Sequence, residues 1–508
     1  MLVLSQQQAQ ELDKIAMMEY DISGEKLMGN AGEKIANFVQ TKLINIHSPK
    51  IGIVCGKGHN GGDGFAAGSI LKESGYDVVI YSLIEKNDIT GDSLVFHNSC
   101  LDQEIPIYYS AEVPESLPEF DLMIDAILGT GFSGDLKRNI EPWSLWLNAS
   151  KITISADIPT GVNSNTGVVS TIAVKADHTI TMGLTKLGML LEPGKSHCGE
   201  IHPLDIGFPN IVQELRGRKW HQLTEEKIRS LINPLEITTH KHRQGKVLIV
   251  AGSIGMTGAA YLSTLATLRS GAGLAITCAP RSLNSIYEEK ITEGMTISCE
   301  DDDKGFFTES NYDMIMDHVD WCDSLVIGPG LGSNSQTAGL VTKLVKTVNK
   351  PMVLDADGLR PFYNNLDLFR DIKSKFVITP HLGEFSQLIG IDSQSIRNNL
   401  PVTVDEFMDQ FQGVLLLKYS PSIVAWESKG CVNSTGNPGL ATAGSGDVLT
   451  GIVAAFIAQG IDTQDAAKIG MYIHGKAGDQ LAKSISQHGM IASDLLYKVG
   501  RVLSNYEL

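Results

Sequence analysis

A glycine-rich turn in the last quarter of the chain leads directly into an apolar stretch, and an acidic residue stands at their junction. The turn covers residues 444–446, the acid is Asp447, and Val448–Ile457 predicts a buried helix. Glycines let the backbone approach a bulky anion, and the first N–H groups of a helix are unpaired at its positive end. The pattern predicts a phosphate cradle in which Asp447 takes a proton from an attacking hydroxyl. A glycine loop that only caps a core helix is the alternative.

Three polar segments of the first half each follow an apolar run and combine an acid with glycine. They cover residues 60–63, 125–134 and 157–161. Strands are predicted for the apolar runs, which alternate with helical patterns: Ile51–Cys55, Val78–Tyr81, Leu122–Ile127, Ile152–Ala156 and His178–Met182. The carboxyl ends of parallel strands meet at one sheet edge, so we expect the three segments to lie together.

The side chains in these segments suit a cation and an anion. Asn60, Asp125 and Thr160 offer a carbonyl, a carboxylate and a hydroxyl, which are ligands for a hard cation. Residues 129–134 offer backbone amides for a phosphate. The same acids would also suit the plainer role of capping turns and helices.

Polar residues follow predicted strands in the second half as well. Lys418 would hold a phosphate as a point charge, and Asp355 with Asp357 would orient a hydrated Mg²⁺. His381 and Glu384 would hydrogen-bond a substrate. As alternatives, Asp357 begins a turn with the following glycine, and His381 caps the helix that is predicted to start at Gly383.

Strand and helix alternate in both halves, which predicts two α/β domains with parallel sheets covered on both faces. We expect a Rossmann-like, doubly wound sheet in the first domain. We expect the first domain to end at Leu204–Pro209. Residues 210–221 are predicted to form a polar connection that is short of core residues, and Leu223–Ile232 is predicted to be the first helix of the second domain. The predicted domains are residues 1–215 and 222–508.

Composition narrows the class of protein. With 508 residues, 43% hydrophobic and 19% charged, more than one globular domain is expected. A formal charge of −17 argues against a general nucleic-acid binder, which needs a basic face. Seven scattered cysteines without a CxxC pair predict a reducing, cytoplasmic location. We expect no signal peptide and no membrane-spanning segment.

The first half resembles the NAD(P)H-hydrate epimerase family. The resemblance is carried by the motifs Asn60-Gly61-Gly62-Asp63-Gly64, Asp125-Ala126-Ile127-Leu128-Gly129-Thr130-Gly131, Asp157-Ile158-Pro159-Thr160-Gly161 and Ala176-Asp177-His178-Thr179-Ile180-Thr181-Met182. The chain departs from the family at His59, where asparagine is usual, and at Gly29, where glutamate is common.

This resemblance implies a site for the hydrated cofactor, a catalytic role for Asp157, and K⁺ at Asn60, Asp125 and Thr160. The residues that it implies as substrate-binding follow the three strands: His59, Asn60, Gly61, Gly62, Asp63, Gly129, Thr130, Gly131, Phe132, Ser133, Gly134, Asp135 and Asp157.

The second half resembles the ribokinase-like, nucleotide-dependent NAD(P)H-hydrate dehydratases. The motifs that carry this resemblance are Gly258-Ala259, Ile327-Gly328-Pro329-Gly330-Leu331-Gly332, Leu354-Asp355-Ala356-Asp357-Gly358-Leu359, Thr379-Pro380-His381-Leu382-Gly383-Glu384 and residues 436–451. It implies that the hydrated cofactor meets Ala259, Gly330, His381 and Asp447. It implies that ADP or ATP, with Mg²⁺, meets Lys418, Tyr419, Ser420, Pro421, Ser422 and Gly446. Tyr419 and Ser422 replace the family's usual glycine and threonine.

Fusion of the two families implies a bifunctional repair enzyme for NADH hydrate and NADPH hydrate, and we expect a homo-oligomer. Phosphorylation of the substrate hydroxyl would turn a poor leaving group into a good one. Two alternatives remain at this point. The second half suits a small-molecule kinase of the vitamin or sugar type. The first half, with Gly29 and His59, suits a non-catalytic nucleotide-binding or interaction module.

Overall fold

The chain divides into two compact units in the computed structural model. The structure describes residues 1–109, 112–114, 120–212 and 214–506. One unit covers Leu2–Trp220, and the other covers His221–Leu508 together with Met1. The two-domain α/β fold class that the sequence predicts is confirmed, because each unit contains a largely parallel sheet with helices.

The first unit is built on a sheet of seven parallel strands among its described residues. From one edge to the other the order is β4-β3-β2-β5-β6-β7-β8. The strand bounds are β1 (Leu2–Val3), β2 (Lys50–Cys55), β3 (Asp77–Ser82), β4 (Ile107–Tyr109), β5 (Leu122–Ala126), β6 (Thr153–Ala156), β7 (His178–Met182), β8 (Glu200–Leu204) and β9 (Lys219–Gln222). The helix bounds are α1 (Gln6–Glu19), α2 (Gly24–Leu43), α3 (His59–Glu73), α4 (Asp92–Asp102), α5 (Glu141–Asn148) and α6 (Lys195–Cys198).

Apolar runs and capping residues explain these elements. Residues 51–55 of β2 are all buried, as expected for a central strand covered on both faces. Ser5 caps α1 in a reciprocal capping box with Gln8, and the predicted apolar face of α2 packs on the sheet through Leu27, Ala31 and Ile35.

The helix after β2 begins six residues earlier than predicted. We expected a loop at residues 60–63 before a helix from Phe65, but α3 begins at His59. The glycines explain why: a Cβ on Gly61 would lie 2.0 Å from the carbonyl oxygen of Gly56. Only glycine lets the first turn of this helix approach the end of β2 so closely.

The second unit has a sheet with the strand order β18-β17-β16-β15-β14-β13-β10-β11-β12 in the part that the structure describes. The strand bounds are β10 (Lys246–Val250), β11 (Leu274–Pro280), β12 (Met295–Cys299), β13 (Ser324–Ile327), β14 (Met352–Leu354), β15 (Phe376–Ile378), β16 (Val414–Leu417), β17 (Ile423–Trp426) and β18 (Lys429–Val432). The helix bounds are α7 (Glu225–Arg229), α8 (Thr257–Arg269), α9 (Asn284–Lys290), α10 (Tyr312–Val319), α11 (Ser335–Thr347), α12 (Leu382–Ile389), α13 (Ser393–Asn398), α14 (Leu400–Met408), α15 (Ser445–Ala458), α16 (Thr463–Ser484) and α17 (Ala492–Leu503).

Short 3-10 helices complete the elements of both units: Lys86–Asp88, Leu187–Met189, Arg281–Leu283, Glu309–Asn311, Ala356–Phe362, Leu366–Asp371 and Pro438–Leu440.

Not all of the second sheet is parallel. The strands from β16 across to β12 pair in parallel, but β16 with β17 and β17 with β18 pair antiparallel. The predicted parallel core is confirmed, and the two antiparallel pairs form an addition at one edge that the sequence did not predict. A two-residue turn with Glu427 at a φ of 45° joins β17 to β18, and a connection this short permits only an antiparallel pair.

Two predictions near the junction of the halves are also wrong. The first helix of the second unit is shorter than Leu223–Ile232, because α7 covers only Glu225–Arg229, with Thr224 as its cap. The segment 210–221 is not short of core residues: Ile211, Val212, Leu215 and Trp220 are buried, and β9 begins at Lys219. Spaced single apolar residues among charges hid this packing from the sequence.

Two further observations concern the whole described chain. Among the described residues, no helix is both long enough and apolar enough to cross a membrane. All seven cysteines are buried and without a disulfide.

Candidate active sites

Asp125 is the centre of a hydrogen-bond network at the carboxyl edge of the first sheet. Its Oδ1 accepts hydrogen bonds from Thr160 Oγ1 at 2.7 Å and from the Ile127 amide at 3.3 Å. Its Oδ2 accepts from Ser155 Oγ and from the Thr160 amide, both at 2.8 Å. Burial raises the pKa of Asp125, and the bonds from Thr160 and Ser155 oppose that shift. The segments after β5 and β6 meet as predicted, although Asp125 itself lies within the strand.

Asn60, in the first turn of α3, is the remaining residue of the predicted cation site at this sheet edge. Its Nδ2 donates to the Leu128 carbonyl at 2.9 Å. Its Oδ1 is buried and has no hydrogen-bond partner in the described part of the chain. A buried carbonyl oxygen without a partner costs free energy unless a ligand fills the position. An unpaired amide oxygen suits a hard cation such as K⁺. The other two predicted ligands are already hydrogen-bonded, because Thr160 Oγ1 donates to Asp125 and accepts the Leu128 amide at 3.1 Å.

A cavity of about 610 Å³ opens at the same edge, with an ion pair in its wall. Lys186 Nζ lies 2.5 Å from Asp157 Oδ1, and it also donates to Thr181 Oγ1 at 2.8 Å and to the Met182 carbonyl at 3.0 Å. The Thr130 hydroxyl donates to the other oxygen of Asp157. Burial alone would raise the pKa of Asp157, but the Lys186 ammonium and the bonds from Lys186 and Thr130 hold it below its usual value.

Two more carboxyl groups in the lining of this cavity have a raised pKa. Burial, followed by the negative charge of Asp157, raises the pKa of Asp13 to about 6. Burial, followed again by Asp157, raises the pKa of Asp63 well above its usual value. The cavity therefore holds an ionised carboxylate beside two carboxyl groups that keep their protons to higher pH. Such a separation of pKa values is what acid–base catalysis requires.

The cavity contains most, but not all, of the predicted substrate-binding residues. Those in its lining are His59, Asn60, Asp63, Gly129, Thr130, Gly131, Phe132, Ser133 and Asp157. The others, Gly61, Gly62, Gly134 and Asp135, are not in the lining. Gly62 packs against Met28 instead, since a Cβ there would lie 2.4 Å from the Met28 sulfur.

The segment 129–134 offers fewer amides than expected. The Thr130 amide donates to Asp157 Oδ2 at 3.1 Å, and the Phe132 amide donates to the Gly129 carbonyl at 3.1 Å. The prediction that all its amides are available to a phosphate is wrong for these two. Gly29 is not in the cavity lining either; a Cβ there would meet the Phe96 ring at 3.3 Å.

The second site forms where α15 begins. The helix starts at Ser445, inside the predicted turn, so Asp447 lies in its first turn. Gly444 precedes the helix with a φ of 85°, a conformation that favours glycine. His474 Nε2 lies 3.1 Å from Ser445 Oγ and 3.0 Å from the Ser445 carbonyl, and burial lowers the pKa of His474 to about 4. A neutral imidazole thus fixes the start of the helix.

A buried ion pair lies beneath this turn. Lys418 Nζ is 2.7 Å from Asp355 Oδ1, and Thr450 Oγ1 donates to Asp355 Oδ2 at 2.7 Å. A Cβ on Gly446 would lie 3.1 Å from Lys418 Nζ, so only glycine leaves the ammonium open toward the turn. Lys418 and Gly446, two of the predicted nucleotide-binding residues, therefore lie together.

Asp447 has the pKa of a base at neutral pH. Burial raises it to about 7, the charges of Asp355, Asp357 and Glu384 add to the shift, and Lys418 opposes it. Glu384 is itself buried enough that its pKa is raised. A half-ionised carboxylate at a helix N-terminus, beside an ammonium group, suits proton abstraction next to a phosphate.

Asp355 and Asp357 are both paired within the protein, so the predicted contact with a hydrated Mg²⁺ would be made through its water ligands. Both oxygens of Asp355 are used by Lys418 and Thr450. Asp357 pairs with Arg360 at 2.7 Å and accepts the Gly332 amide at 2.8 Å. These bonds hold the loops of the site in place, and they leave neither carboxylate free as a direct ligand.

His381 acts as a helix cap in the described structure. Its Nδ1 accepts the amides of Gly383 at 3.0 Å and Glu384 at 3.2 Å, while Glu384 accepts the His381 amide at 2.8 Å. The alternative interpretation of His381 is thus confirmed for Nδ1. The His381 imidazole is exposed. The backbone of His381 forms an isolated parallel β-bridge with the backbone of Lys418, which places both residues at the same edge of the second sheet.

The remaining predicted residues fall into two places. Ala259 and Gly330 lie together, since a Cβ on Gly330 would be 2.9 Å from the Ala259 Cβ. Residues 419–422 form the turn that leads into β17; there Ser422 Oγ donates to the Tyr419 carbonyl at 3.2 Å. The structure includes the peptide between Ser420 and Pro421 in the cis form.

Sequence reasoning missed four residues of the two sites. They are Asp13, Lys186, Thr450 and His474. The sequence does mark Lys186 as a candidate, because it is the only charged residue in the apolar run from Gly183 to Leu191. Asp13 and His474 had none, since no local pattern distinguishes either residue from the other polar residues of its helix.

Comparisons with known proteins match both halves. A family model described as NAD(P)H-hydrate dehydratase matches residues 247–501. A model described as YjeF-related protein N-terminus matches residues 24–188. The bifunctional NAD(P)H-hydrate repair enzyme of Moorella thermoacetica is 35% identical over 98% of this chain and 96% of its own length. The enzyme of the same description from Coxiella burnetii is 32% identical over 99% and 100%. A solved ADP/ATP-dependent NAD(P)H-hydrate dehydratase from Bacillus subtilis, co-crystallised with ATP and Mg²⁺, is 26% identical over 56% of this chain and 98% of its own, with a TM-score of 0.49.

Proposed function

The chain belongs to the family of bifunctional NAD(P)H-hydrate repair enzymes, and on this premise we propose how its two sites divide the repair. The first half interconverts the R and S forms of NADH hydrate and NADPH hydrate. The second half removes water from the S form at the expense of ADP or ATP and restores the reduced cofactor. We assign the first activity to residues 1–215 and the second to residues 222–508. The fusion of the two matched families in one chain supports this assignment over a small-molecule kinase.

The dehydration site is built around Asp447, and one observation carries this proposal. Asp447 lies in the first turn of the buried helix α15, beside the Lys418 ammonium, with a pKa raised to about 7. Asp447 takes the proton of the substrate hydroxyl while that oxygen attacks the terminal phosphorus of the nucleotide. The terminal P–O bond of the nucleotide breaks, and the nucleotide leaves with one phosphate fewer. The C–O bond of the phosphorylated substrate then breaks to release inorganic phosphate, and loss of a proton from the neighbouring ring carbon to water restores the double bond.

Lys418 and the amides near Gly446 hold the moving phosphoryl group in this site. The ammonium carries positive charge to the turn, and the helix N-terminus adds unpaired N–H groups. Mg²⁺ would enter with the nucleotide phosphates, and Asp355 and Asp357 would orient its water ligands. Ala259, Gly330 and His381 are proposed to contact the hydrated cofactor, and residues 419–422 the nucleotide.

The epimerase site is the cavity of the first unit. Epimerisation breaks and remakes one bond at the hydroxyl-bearing carbon, so it needs an acid for the leaving hydroxyl and a negative charge for the cation that develops. Asp13, with its pKa raised to about 6, is the proposed acid. Asp157, held ionised by Lys186, is the proposed stabilising carboxylate.

Asn60, Asp125 and Thr160 are proposed to hold K⁺ at the edge of this cavity. The buried, unpaired Oδ1 of Asn60 supports the assignment, and Asp125 orients Thr160. Bound there, the ion would supply a fixed positive charge for the anionic part of the substrate. We further propose a cytoplasmic homo-oligomer: the buried free thiols suit a reducing compartment, and Met18 and Tyr20 are large side chains exposed at the end of the first helix. The charge of −17 supports neither a nucleic-acid nor a membrane partner.

An absorbance assay of reduced-cofactor recovery tests the proposal. The purified full chain is given NADH hydrate or NADPH hydrate with ADP, ATP or no nucleotide. We expect full recovery from a mixture of epimers only when a nucleotide is present. A phosphorylated product that accumulates without recovery of absorbance would instead identify a kinase.

A further inference from the structure

Three potential metal ligands lie together on the last two strands of the first sheet. His178 begins β7, and Glu200 and His202 lie on β8. In the parallel register His178 pairs with Glu200, and Ile180 with His202. Side chains two residues apart on a strand share a face, so all three project from the same side of the sheet.

The ligand atoms form a nearly equilateral triangle. His178 Nδ1 lies 3.2 Å from His202 Nε2, and Glu200 Oε2 lies 3.3 Å from the first nitrogen and 3.5 Å from the second. Tetrahedral zinc binds nitrogen and carboxylate oxygen at about 2.0–2.2 Å, which separates neighbouring ligand atoms by roughly 3.3–3.5 Å. The two distances to Glu200 fall within that range, and the 3.2 Å between the two nitrogens is slightly shorter.

A hydrogen bond accounts for only part of this triangle. One proton joins two of the three atoms, whereas a metal ion joins all three. The site is also preorganised, because the Phe38 ring packs against both imidazoles, with centroid distances of 5.3 Å to His178 and 4.5 Å to His202. The two imidazoles are mostly buried, and Glu200 reaches them from the exposed side.

The surrounding charges are compatible with a divalent cation. Lys42 on α2 is the positive group that acts on both imidazoles, while Glu200 and Asp177 supply negative charge.

We propose that His178, Glu200 and His202 form a zinc site, with water as the fourth ligand, that clamps the edge strand β8 to β7. The site is separate from the epimerase cavity. His178 begins β7, whereas Met182, which lines the cavity, ends it, and four residues of strand span about 13 Å. The ion would therefore hold together the strand pair that carries Lys186 toward the cavity, without touching the substrate.

The test uses the full chain, stripped of metal with a chelator and titrated with Zn²⁺ in equilibrium dialysis. We expect one tight zinc ion per chain and a melting temperature that rises with free zinc. Replacement of zinc by Co²⁺ should give the intense visible absorption of tetrahedral cobalt. Loss of a second-shell partner costs 10- to 100-fold in metal affinity, so His202→Ala, which removes a direct ligand, should weaken binding by at least about 100-fold.

His197→Ala is the matched control, because His197 lies close by in the chain but outside the triangle. This variant should bind zinc as the native chain does. Equal zinc affinity in His202→Ala and His197→Ala, or no stoichiometric zinc in the native chain, would overturn the proposal. If His202→Ala does not fold, His178→Gln provides the same comparison.

Discussion

Lys418 Nζ and Asp355 Oδ1 form a 2.7 Å ion pair that lies directly beneath the start of α15. The pair joins the ends of β14 and β16 to the helix, since Thr450 of α15 donates to the other oxygen of Asp355. The same ammonium group faces Gly446 and acts electrostatically on Asp447. One lysine thus positions the loops, presents a charge to phosphate and limits the rise in the pKa of the proposed base.

Replacement of Lys418 by methionine should affect stability and pH dependence together. Asp355 would be left buried without its partner, which typically costs about 3–5 kcal/mol. Thermal unfolding measures this loss, and the double variant Lys418→Met/Asp355→Asn should recover much of it, because both charges are then absent. In Lys418→Met the pKa of Asp447 should rise, since Lys418 opposes the upward shift. The acid limb of the dehydratase profile would then move to higher pH; an unmoved limb would separate Lys418 from the base.

Asp447→Asn should abolish dehydration and leave epimerisation intact. Loss of a general base lowers the rate by about 10²- to 10⁴-fold. In the native chain the base must be ionised, so kcat/KM for dehydration should fall as the pH drops below about 7. Cofactor recovery measured from pH 5.5 to 9 gives the profile, and epimer exchange followed by chromatography gives the control. Dehydration at the native rate in Asp447→Asn would remove Asp447 from the mechanism.

Asn60→Ala should weaken the potassium dependence of epimerisation. The variant removes the buried Oδ1 that has no partner within the described chain. The K⁺ concentration for half-maximal rate should increase at least tenfold, which epimer exchange in sodium buffers with added potassium would show. Asn98→Ala, on the exposed surface of α4, is the control. An identical potassium requirement in both variants would place the ion elsewhere.

The sheet architecture was largely predictable, and its exceptions have a common cause. A short continuous apolar run such as residues 51–55 predicts a buried strand of a parallel sheet, because such a strand is covered on both faces. The antiparallel hairpin β17–β18 was not predicted, because β17 is as apolar as a parallel strand and its partner is short. The start of α3 was missed because its glycines, which serve close packing, have the same pattern as a loop.

The residues of the two sites were predictable from the sequence only where they lie at or directly after the end of a strand. In the first unit, Asn60, Asp125 and Asp157 follow from the rule that the ends of parallel strands share an edge. In the second unit, the same rule predicts that Lys418 and Asp355 lie together. Asp13 reaches its cavity on a helix far away in sequence, and no local pattern marks which helical carboxylate will face a cavity. The pairing of Asp355 with Lys418 and Thr450, which withdraws it from direct contact with a metal, depends on side-chain geometry that spacing does not contain.

Asp13→Asn should slow epimerisation and change its pH dependence in the direction opposite to dehydration. A general acid works only when protonated, and burial with the charge of Asp157 raises the pKa of Asp13 to about 6. Epimerisation by the native chain should therefore decline as the pH rises above about 6, while dehydration rises toward its plateau above 7. The asparagine variant cannot give up a proton, so its rate should fall by about 10²-fold or more and lose this limb.

Glu19→Gln, near the exposed end of α1, is the matched control for removing a carboxylate from this helix. Both epimerisation profiles come from exchange between the separated epimers without nucleotide, so dehydration does not contribute. If Asp13→Asn keeps the native decline with pH, the limb belongs to another group. Asp63, whose pKa is raised well above its usual value in the same cavity, would then be the acid to replace. If Asp13→Asn loses the limb while Glu19→Gln retains it, the two halves of the chain operate with oppositely directed pH dependences because one uses a protonated carboxyl group and the other an ionised one.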